Sequence, residues 1–386
     1  MDTKALKAQF SELYGAEAEA VFFSPGRVNL IGEHTDYNGG YVFPCALNYG
    51  TYLLVRKNAD NVVRFASTNL DLSIAIALSD LSIKQPDGAW VNYPLGVVEQ
   101  FAKKGIEISG LDLLYSGNIP NGAGLSSSAS IELVTSVMIN DLYEGKLAMM
   151  EMVQLSQNAE NQFVGVNCGI MDQFAVGMGK ANHALALKCD TLKFEEVPLK
   201  LDGYKIVISN TNKRRGLADS KYNERRSECE KALEEMNTEG KFQFLSDIDF
   251  DRFNDLHSKL SSDVLLRRAR HVITENKRVV DAMSALEKNN LQEFGQLMNA
   301  SHVSLRDDYE VTGSELDALV EEAWRVDGVI GSRMTGAGFG GCTVSIVKDA
   351  AVDNFLSVVG PAYEKRTGLK PEFYVAEVGD GARRLE

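Results

Sequence analysis

The sequence predicts an α+β protein with two lobes, from its length and from the distribution of strand-like and helix-like segments. The chain has 386 residues, which is too long for one ordinary hydrophobic core and suits two domains. Strand-like segments dominate the first half and helix-like segments the middle, unlike a regular repeat of strand–helix–strand units. No repeat or linker-like tract marks a boundary, and we place the N-terminal lobe at residues 1–185 and the C-terminal lobe at residues 186–386.

The individual elements follow from hydrophobic periodicity. Alternating or β-branched residues predict strands at Val62–Ser67, Asp71–Leu78, Leu111–Ser116, Tyr204–Asn210 and Cys342–Val347. Helical spacing predicts helices after Ser126 and at Ala148–Val164, Ser220–Met236, Leu265–Lys288 and Ser314–Val326. In the helix after Ser126, the residues Ile131, Val134 and Met138 lie on one face, which is typical of an amphipathic helix packed on a core.

The acidic composition argues against polyanionic partners. The chain carries 40 basic and 54 acidic residues, a net charge of −14. Such a surface repels nucleic acid and anionic membranes, although one phosphate pocket can be locally positive. A basic cluster at residues 267–271 alternates with apolar residues and is interpreted as a solvated helix face. No apolar run is long enough to span a bilayer. We therefore expect neither nucleic acid nor a membrane as a partner.

The N-terminus and the cysteines favour the cytoplasm. The opening segment, MDTKALKAQF, lacks the basic and then apolar pattern of a secretory signal. The five cysteines lie far apart, and an odd number makes a poor disulfide framework. No C-x-x-C pair occurs, which argues against a zinc site.

A first glycine-rich stretch, GNIPNGAGLSSSAS, runs from Gly117 to Ser130 between a predicted strand and a predicted helix. Glycines let the backbone approach a ligand closely, and the free N–H groups at a helix N-terminus attract phosphate oxygens. The serines at 126–128 suit helix capping, and one hydroxyl suits magnesium. The stretch therefore predicts a phosphate loop, although a capped helix after a flexible turn explains the same residues. It is not a Walker A loop, because G-x-x-x-x-G-K-[ST] is absent.

A second glycine-rich stretch, MTGAGFGGCTVSIV, covers Met334 to Val347. It formally satisfies the dinucleotide-binding pattern G-x-G-x-x-G, which would indicate a nicotinamide oxidoreductase. That fingerprint requires a helix after the glycines, whereas CTVSIV predicts a strand. We interpret the stretch as a tight turn packed against the phosphate loop, with a bare hairpin turn as the simpler alternative.

A third stretch, SPGRVNLIGEHTDYNGG, spans Ser24 to Gly40 and mixes charged and apolar residues. A fully solvated loop does not need the apolar ones, so the charges are expected in a cleft. Carboxylates and imidazole form hydrogen bonds with sugar hydroxyls and select a polyol by its hydroxyl pattern. A structural salt-bridge cluster explains the residues equally well.

Two carboxylates farther along the chain complete the candidate residues. Asp172 lies among apolar neighbours in NCGIMDQF, and Glu160 lies twelve residues earlier on the predicted helix Ala148–Val164. Together with a serine hydroxyl, such a pair could supply a general base and a magnesium ligand. An aspartate after a glycine is also a common turn or cap residue.

Taken together, these stretches resemble the galacto-, homoserine, mevalonate and phosphomevalonate kinase family, and within it the galactokinases. GRVNLIGEHTDYNGG is similar to the galactokinase signature, GAGLSSSAS to the family's phosphate loop and GAGFGGC to its third glycine motif. NCGIMDQF and SHVSLRDDYEVTGSELDALV are similar to galactokinases too, so the resemblance covers nearly the whole chain.

The resemblance implies a two-lobed fold with ATP and sugar in the cleft between the lobes. It implies Asp172 as the catalytic aspartate and Arg27 as the residue that neutralises charge beside it. The implied sugar contacts are Arg27, Glu33, His34, Asp36, Gly169, Asp172 and Tyr222. The implied ATP contacts are Trp90, Tyr93, Gly122, Ala123, Gly124, Leu125, Ser126, Ser127 and Ser128. Ser128 and Glu160 are the implied ligands of Mg²⁺.

The implied activity is phosphorylation of galactose at its 1-hydroxyl by ATP, in a monomer. One alternative is a kinase for a related sugar such as N-acetylgalactosamine, arabinose or galacturonate. Another is a sensor that binds sugar and ATP without catalysis. The polar residues of the third stretch favour galactose, and the presence of the phosphate loop with Asp172, Arg27 and Glu160 favours an enzyme over a sensor.

Overall fold

The computed structural model describes residues 2–70, 73–86, 89–119, 124–166, 168–213, 218–238 and 240–386. Its strands are β1 (Ala20–Asn29), β2 (Tyr41–Val42), β3 (Pro44–Lys57), β4 (Val62–Ser67), β5 (Ile74–Ala77), β6 (Leu111–Gly117), β7 (His183–Lys188), β8 (Lys193–Pro198), β9 (Tyr204–Asn210), β10 (Val329–Thr335), β11 (Cys342–Lys348), β12 (Glu372–Ala376) and β13 (Arg383–Arg384). Its helices are α1 (Thr3–Tyr14), α2 (Asn92–Lys103), α3 (Ser127–Leu142), α4 (Met149–Asn158), α5 (Met171–Met178), α6 (Ala218–Met236), α7 (Phe250–Leu256), α8 (Asp263–Glu287), α9 (Leu291–Asp307), α10 (Gly313–Trp324) and α11 (Val352–Thr367).

A six-stranded sheet in the order β13-β1-β3-β6-β4-β5 organises the first half of the chain. Its neighbours are antiparallel except β4 and β6, which are parallel. Helices α2 to α5 pack on one face through a core that includes Leu53, Phe101 and Leu133. Helix α1 covers the other face through Phe10 and Val21. Because β1 is covered on both faces, it is buried throughout and lacks the alternation that identifies a half-buried strand.

A four-stranded antiparallel sheet in the order β10-β11-β9-β12 organises the second half. One face packs on α8 and α9 through a core that also includes Val28, Leu30 and Phe43 from the first half. Helices α10 and α11 cover the other face. This shared core joins the end of β1 to the C-terminal sheet, and it places the segment after β1 against α8.

A three-stranded sheet in the order β2-β7-β8 lies between these units. The expected lobe boundary after residue 185 falls inside β7, whose partner β2 belongs to the first lobe. The division at residue 185 stays a prediction. None of the helices in the described part of the chain is both long and apolar enough to span a bilayer.

The predicted elements agree with the structure apart from three corrections. The strand predicted at Asp71–Leu78 is limited to β5, with residues 71 and 72 outside the described residues and Leu78 beginning a short 3-10 helix. The helix predicted at Ala148–Val164 changes after Asn158 into a π-helix, Ala159–Val164. The cluster at residues 267–271 is not simply solvated, because Arg268 and His271 are buried.

Candidate active site

An ion pair between Arg27 and Asp172 forms the centre of the candidate site. Arg27 lies on β1, where a bulge between Pro25 and Arg27 shifts the strand register. Its Nε and Nη2 atoms donate to Oδ1 and Oδ2 of Asp172, each at 2.9 Å. Its Nη1 atom donates to the carbonyl of Gly124 at 2.6 Å. The bidentate contact holds both side chains in one relative orientation, next to the phosphate loop.

Asp172 occupies the first turn of α5, where the helix dipole favours a negative charge. Its Oδ2 atom accepts a further hydrogen bond of 2.5 Å from the Ser126 hydroxyl. Ser126 is in the left-handed backbone region, with φ of 62°, at the N-cap position of α3. The expectation that Ser126 caps this helix is wrong, because its hydroxyl reaches the charged Asp172 instead. A charge-assisted hydrogen bond is stronger than a neutral cap.

The phosphate loop leads into α3, as expected from its glycines and serines. Gly124 has φ of 69°, and Leu125 accepts a hydrogen bond of 3.1 Å from the backbone N–H of Arg27. An added Cβ at Gly26 would lie 2.7 Å from the Leu125 carbonyl, so β1 approaches the loop as closely as glycine permits. Gly122 and Ala123, two of the expected ATP contacts, lie outside the described residues.

Glu160 lies on the π-helix, beside the N-terminus of α3. Interaction with the Ser128 hydroxyl lowers the pKa of its carboxylate, and the Gln173 amide donates to Oε2 at 2.6 Å. Burial, together with the nearby Asp172 carboxylate, raises the pKa of Glu160 to about 7. A π-helical turn is a frequent feature of functional sites. Here the turn brings the expected metal ligands Ser128 and Glu160 together.

The Glu33 carboxylate follows β1 and is only 2% exposed. Its Oε2 atom lies 2.8 Å from Nη2 of the fully buried Arg333, and Oε1 accepts a hydrogen bond of 3.0 Å from the backbone N–H of Gly336. Each carboxylate oxygen has a second lone pair, so these contacts leave acceptor capacity for a ligand. The sequence left two explanations open for these residues, a structural salt-bridge cluster and a ligand site. The contacts of Glu33 are compatible with both.

His34 differs from Glu33, because both of its ring nitrogens already have hydrogen-bond partners. Nδ1 lies 2.9 Å from the Tyr37 hydroxyl and Nε2 lies 3.2 Å from the Ala337 carbonyl. A carbonyl only accepts, so Nε2 carries the proton and Nδ1 accepts from Tyr37. Burial lowers the pKa of His34 to about 3, which keeps the ring neutral. A ring nitrogen of His34 can bind a sugar hydroxyl only if one of these two hydrogen bonds breaks.

Asp36 lies in a short 3-10 helix, Asp36–Asn38, and is packed against Gly169. An added Cβ at Gly169 would overlap Oδ2 of Asp36, so this contact requires glycine. Burial raises the pKa of Asp36 to about 6, and repulsion from Asp172 and Glu33 adds to the effect. The structure thus brings Asp36 of the third stretch against Gly169, three residues before Asp172.

Three further predicted residues are Tyr222, Trp90 and Tyr93. The Tyr222 ring, on α6, lies 5.6 Å from the His34 ring and 5.4 Å from the Tyr37 ring. The Trp90 ring packs edge-on against Tyr115 at 5.4 Å. Burial raises the pKa of Tyr93 to about 12, and the charge of Glu160 acts in the same direction.

The glycine-rich stretch from Met334 joins β10 and β11 as an antiparallel hairpin. The oxidoreductase interpretation is therefore wrong, since a strand follows the glycines where a dinucleotide site needs a helix. An added Cβ at Gly336 would lie 3.7 Å from the Gly124 carbonyl, so the turn adjoins the phosphate loop. It also packs against the third stretch through Gly336 and Ala337.

Three consecutive parts of the chain match known protein families. The galactokinase galactose-binding signature matches residues 8–57, the GHMP kinases N-terminal domain matches residues 92–180, and the GHMP kinases C-terminal domain matches residues 282–365. A galactokinase from Clostridium beijerinckii is 53% identical over 382 residues, covering 98% of each chain. A galactokinase from Bacillus subtilis is 51% identical over 385 residues, covering 99% of this chain and 98% of that one.

This chain belongs to the galactokinase family. A crystal structure of the Lactococcus lactis galactokinase complexed with galactose superposes with a TM-score of 0.95 at 46% identity, covering 99% of this chain and 100% of that one. A mevalonate kinase from Methanococcus jannaschii has a TM-score of 0.70 at 20% identity, over 93% of this chain and 98% of that chain, and shows the shared fold. The expected α+β kinase fold is confirmed.

Three residues of this galactokinase-family site were not predicted from the sequence. Arg333 pairs with Glu33, and Gln173 donates from one amide nitrogen to both Glu160 and Glu132, the latter at 3.0 Å. Arg333 interrupts an otherwise apolar and small-residue strand, and Gln173 directly follows Asp172. These two positions in the sequence could have drawn attention to Arg333 and Gln173. Neither position indicates which residue the side chain contacts. Glu132, on the buried side of α3, carries no such signal.

The oxygen donors at Ser128 and Glu160 fit a hard cation such as Mg²⁺. Among the described residues, no group of three or more histidine, cysteine, aspartate or glutamate side chains is arranged to hold a metal. Magnesium commonly takes one or two protein ligands and completes its shell with phosphates and water. The donor set therefore suits a metal that arrives with a nucleotide better than a permanently enclosed one.

Proposed function

We propose that this chain phosphorylates galactose at the 1-hydroxyl with ATP, giving galactose 1-phosphate and ADP, and that the residues assigned above carry the reaction. The pair of Arg27 and Asp172 is the observation that carries the residue assignments. It touches the phosphate loop through Gly124, and the Asp172 charge is near enough to Asp36 to raise the pKa of that carboxyl. A phosphate-binding loop and a polyol-binding segment thus share one charged pair.

Asp172 is the proposed base for the 1-hydroxyl. Its carboxylate has about four lone-pair positions, and Arg27 and Ser126 fill three of them with hydrogen bonds. The free position accepts the hydroxyl of the sugar and takes its proton as the oxygen attacks phosphorus. Since phosphoryl transfer needs little covalent help from the protein, orienting this hydroxyl supplies much of the rate.

Arg27 is the proposed charge partner for the transferred group. It makes three side-chain hydrogen bonds here, and a guanidinium has N–H groups beyond these three. Those groups, with the backbone N–H groups at the start of α3, stabilise the negative charge that spreads over the phosphoryl oxygens. Ser128 and Glu160 are the proposed holders of Mg²⁺, which when bound neutralises phosphate charge.

Sugar recognition is assigned to the opposite side of the pair. Glu33 and Asp36 supply carboxylate acceptors, Gly169 leaves room for Asp36, and His34 with Tyr222 forms an aromatic wall. Trp90 and Tyr93 are assigned to the adenine end of ATP, beside the helix that carries Glu160. Hydroxyl recognition by buried carboxylates rejects sugars that lack the matching hydroxyl.

The cytoplasm as compartment and the monomer as working state belong to the same proposal. All five cysteines are free thiols, which suits a reducing compartment.

Product identification tests the proposed reaction. The purified chain is incubated with galactose, ATP and magnesium, and the phosphorylated sugar is identified by ³¹P and ¹H NMR. The expected product is galactose 1-phosphate, and a 6-phosphate would overturn the assignment of the acceptor hydroxyl. Binding of both ligands without release of ADP would indicate a sensor. Faster turnover of N-acetylgalactosamine, arabinose or galacturonate in the same assay would replace galactose as the substrate.

A further inference from the structure

Arg333 is a fully buried arginine in β10, and its guanidinium is directed at the segment that follows β1. Its Nη1 atom donates to the carbonyl of Asn29 at 3.0 Å, and its Nε atom donates to the Ser301 hydroxyl at 3.1 Å. Its Nη2 atom lies 2.8 Å from Oε2 of Glu33. A buried guanidinium without a charged partner is costly, so its position is explained by the Glu33 carboxylate.

A second buried residue, Glu275 on α8, holds the backbone of the same segment. Its Oε1 atom accepts hydrogen bonds from the backbone N–H groups of Gly32 at 2.9 Å and Glu33 at 3.3 Å. The Ser301 hydroxyl donates to the same oxygen at 2.5 Å, so Ser301 connects Glu275 to Arg333. The backbone and the side chain of Glu33 are therefore held by one connected set of polar groups.

Two more contacts complete the restraint on Glu33. Its carbonyl accepts a hydrogen bond of 3.1 Å from Nε2 of His271, and its Oε1 atom accepts one from Gly336. Every one of these partners comes from α8, α9, β10 or the turn after β10. Burial raises the pKa of Glu33, and the charges of Arg333 and Arg27 oppose that increase. The second half of the chain thus orients a carboxylate that the first half contributes.

We propose that Arg333 is a positioning residue that sets sugar selectivity, by holding the Glu33 carboxylate at the angle where its free lone pairs meet one particular hydroxyl of the acceptor. Arg333 itself does not touch the sugar. Without the guanidinium, Glu33 loses its counter-charge and can turn away, and the contribution of that one hydroxyl is lost. This inference rests on the proposed function of Glu33 in sugar binding.

The test compares galactose with its 2-, 3-, 4- and 6-deoxy analogues. For each protein, the ratio of kcat/KM for galactose to kcat/KM for an analogue measures the contribution of the missing hydroxyl. Glu33→Gln first identifies the hydroxyl that Glu33 contacts. Arg333→Met is expected to lower kcat/KM for galactose by about tenfold to a hundredfold, as expected for a charged hydrogen bond. For the analogue that lacks the identified hydroxyl, kcat/KM of the variant should nearly equal that of the wild type. Its KM for ATP should stay within about twofold of the wild-type value.

A matched control is Asp112→Asn, which removes the buried partner of Arg56 and Arg64 at the start of β6. That end of the strand is opposite the end that leads to the phosphate loop. The control should lower Tm without changing the ratio for any hydroxyl. Arg333→Lys keeps the charge but loses the planar fork, so it should show a smaller loss at the same hydroxyl.

The outcomes separate this inference from the proposed function. A wild-type chain that does not phosphorylate galactose refutes the proposed function itself. An active wild type, with an Arg333→Met variant that loses the same factor on galactose and on every analogue, refutes only the positioning role. If neither Arg333→Met nor Arg333→Lys folds, as judged by circular dichroism, Arg333 is a structural residue and the inference is overturned.

Discussion

The two sides proposed above, one for phosphate and one for sugar, are built in different ways. The phosphate side consists of residues 124–128 with Arg27 and Asp172, and it depends on backbone groups at the start of one helix and one ion pair. The sugar side consists of residues 32–36, and partners distant in the sequence hold it, as in the contact between His34 and Ala337 across 303 positions. The phosphate side can therefore form within the first half of the chain, whereas the sugar side needs both halves.

This difference has a chemical reason. Phosphate oxygens are bound well by any set of N–H groups with a positive helix end, and a loop with glycines supplies these locally. A sugar hydroxyl is both a donor and an acceptor, so selecting one sugar requires side chains held at fixed angles. Fixed angles in a buried site require buried partners, and the packed second half provides those of Glu33.

The largest expected effect tests the residue that both sides share. Asp172→Asn keeps the shape of the side chain but removes the base, so kcat should fall by about a hundredfold to ten-thousandfold. Coupled measurement of ADP release gives kcat, and calorimetry gives the affinity for galactose, which should change far less. A folded variant that keeps more than a tenth of the wild-type kcat would remove the base assignment.

A second, smaller effect should appear on the sugar side alone. In Gly169→Ala the added methyl group overlaps the Asp36 carboxylate, so Asp36 must move. We expect KM for galactose to rise by about tenfold to a hundredfold, which corresponds to the loss of one charged hydrogen bond. Steady-state kinetics should show an unchanged KM for ATP. An equal rise in both KM values would mean that the two sides are not separable.

A third variant tests the phosphate side. Ser126→Ala removes the hydroxyl that donates to Asp172 at 2.5 Å. A hydrogen bond to a charged group contributes about 1.5–3 kcal/mol when a partner is lost, but water can replace this one because the Asp172 side chain is 29% exposed. The expected loss in kcat is therefore only about threefold to tenfold. Helix α3 should be unaffected, because Ser126 does not cap it, and an unchanged circular dichroism spectrum checks this.

The smallest effect concerns stability on the sugar side. The pKa of Asp36 is raised in the folded protein to about 6 from an ordinary value of 3.8, so the folded state binds the extra proton between these pH values. The buried charge therefore destabilises the folded state. This cost is absent at low pH and reaches its full value, at most about 3 kcal/mol, above about pH 6.

Asp36→Asn removes that cost. Its Tm should exceed that of the wild type by about 2–4 °C at pH 8, and the difference should vanish near pH 4, as measured by scanning calorimetry. Galactose should bind the variant more weakly. A variant that is less stable than the wild type at pH 8 would contradict the direction of the pKa shift.

Some of the site could be predicted from local sequence and some could not. Gly124 and the serines after it indicate a phosphate loop because glycine and helix-capping residues act within a few positions. The expectation that the Ser126 side chain caps α3 was wrong, because a cap is a local preference and Asp172 is a tertiary partner. The π-helical turn at Glu160 has no sequence pattern that distinguishes it from an ordinary helix.

By itself, the sequence predicted a phosphate loop, and it determined the α+β class, the strands and helices with strong periodicity and, through resemblance, the kinase family. These features depend on residues close together in the chain or on motifs read as a whole. Only the tertiary structure decided that Glu33 is held by Arg333 and Glu275, that His34 is neutral with both nitrogens engaged, and that Asp36 needs a glycine beside it. Charge, protonation and orientation in a buried site depend on what packs around a residue, and periodicity does not encode those neighbours.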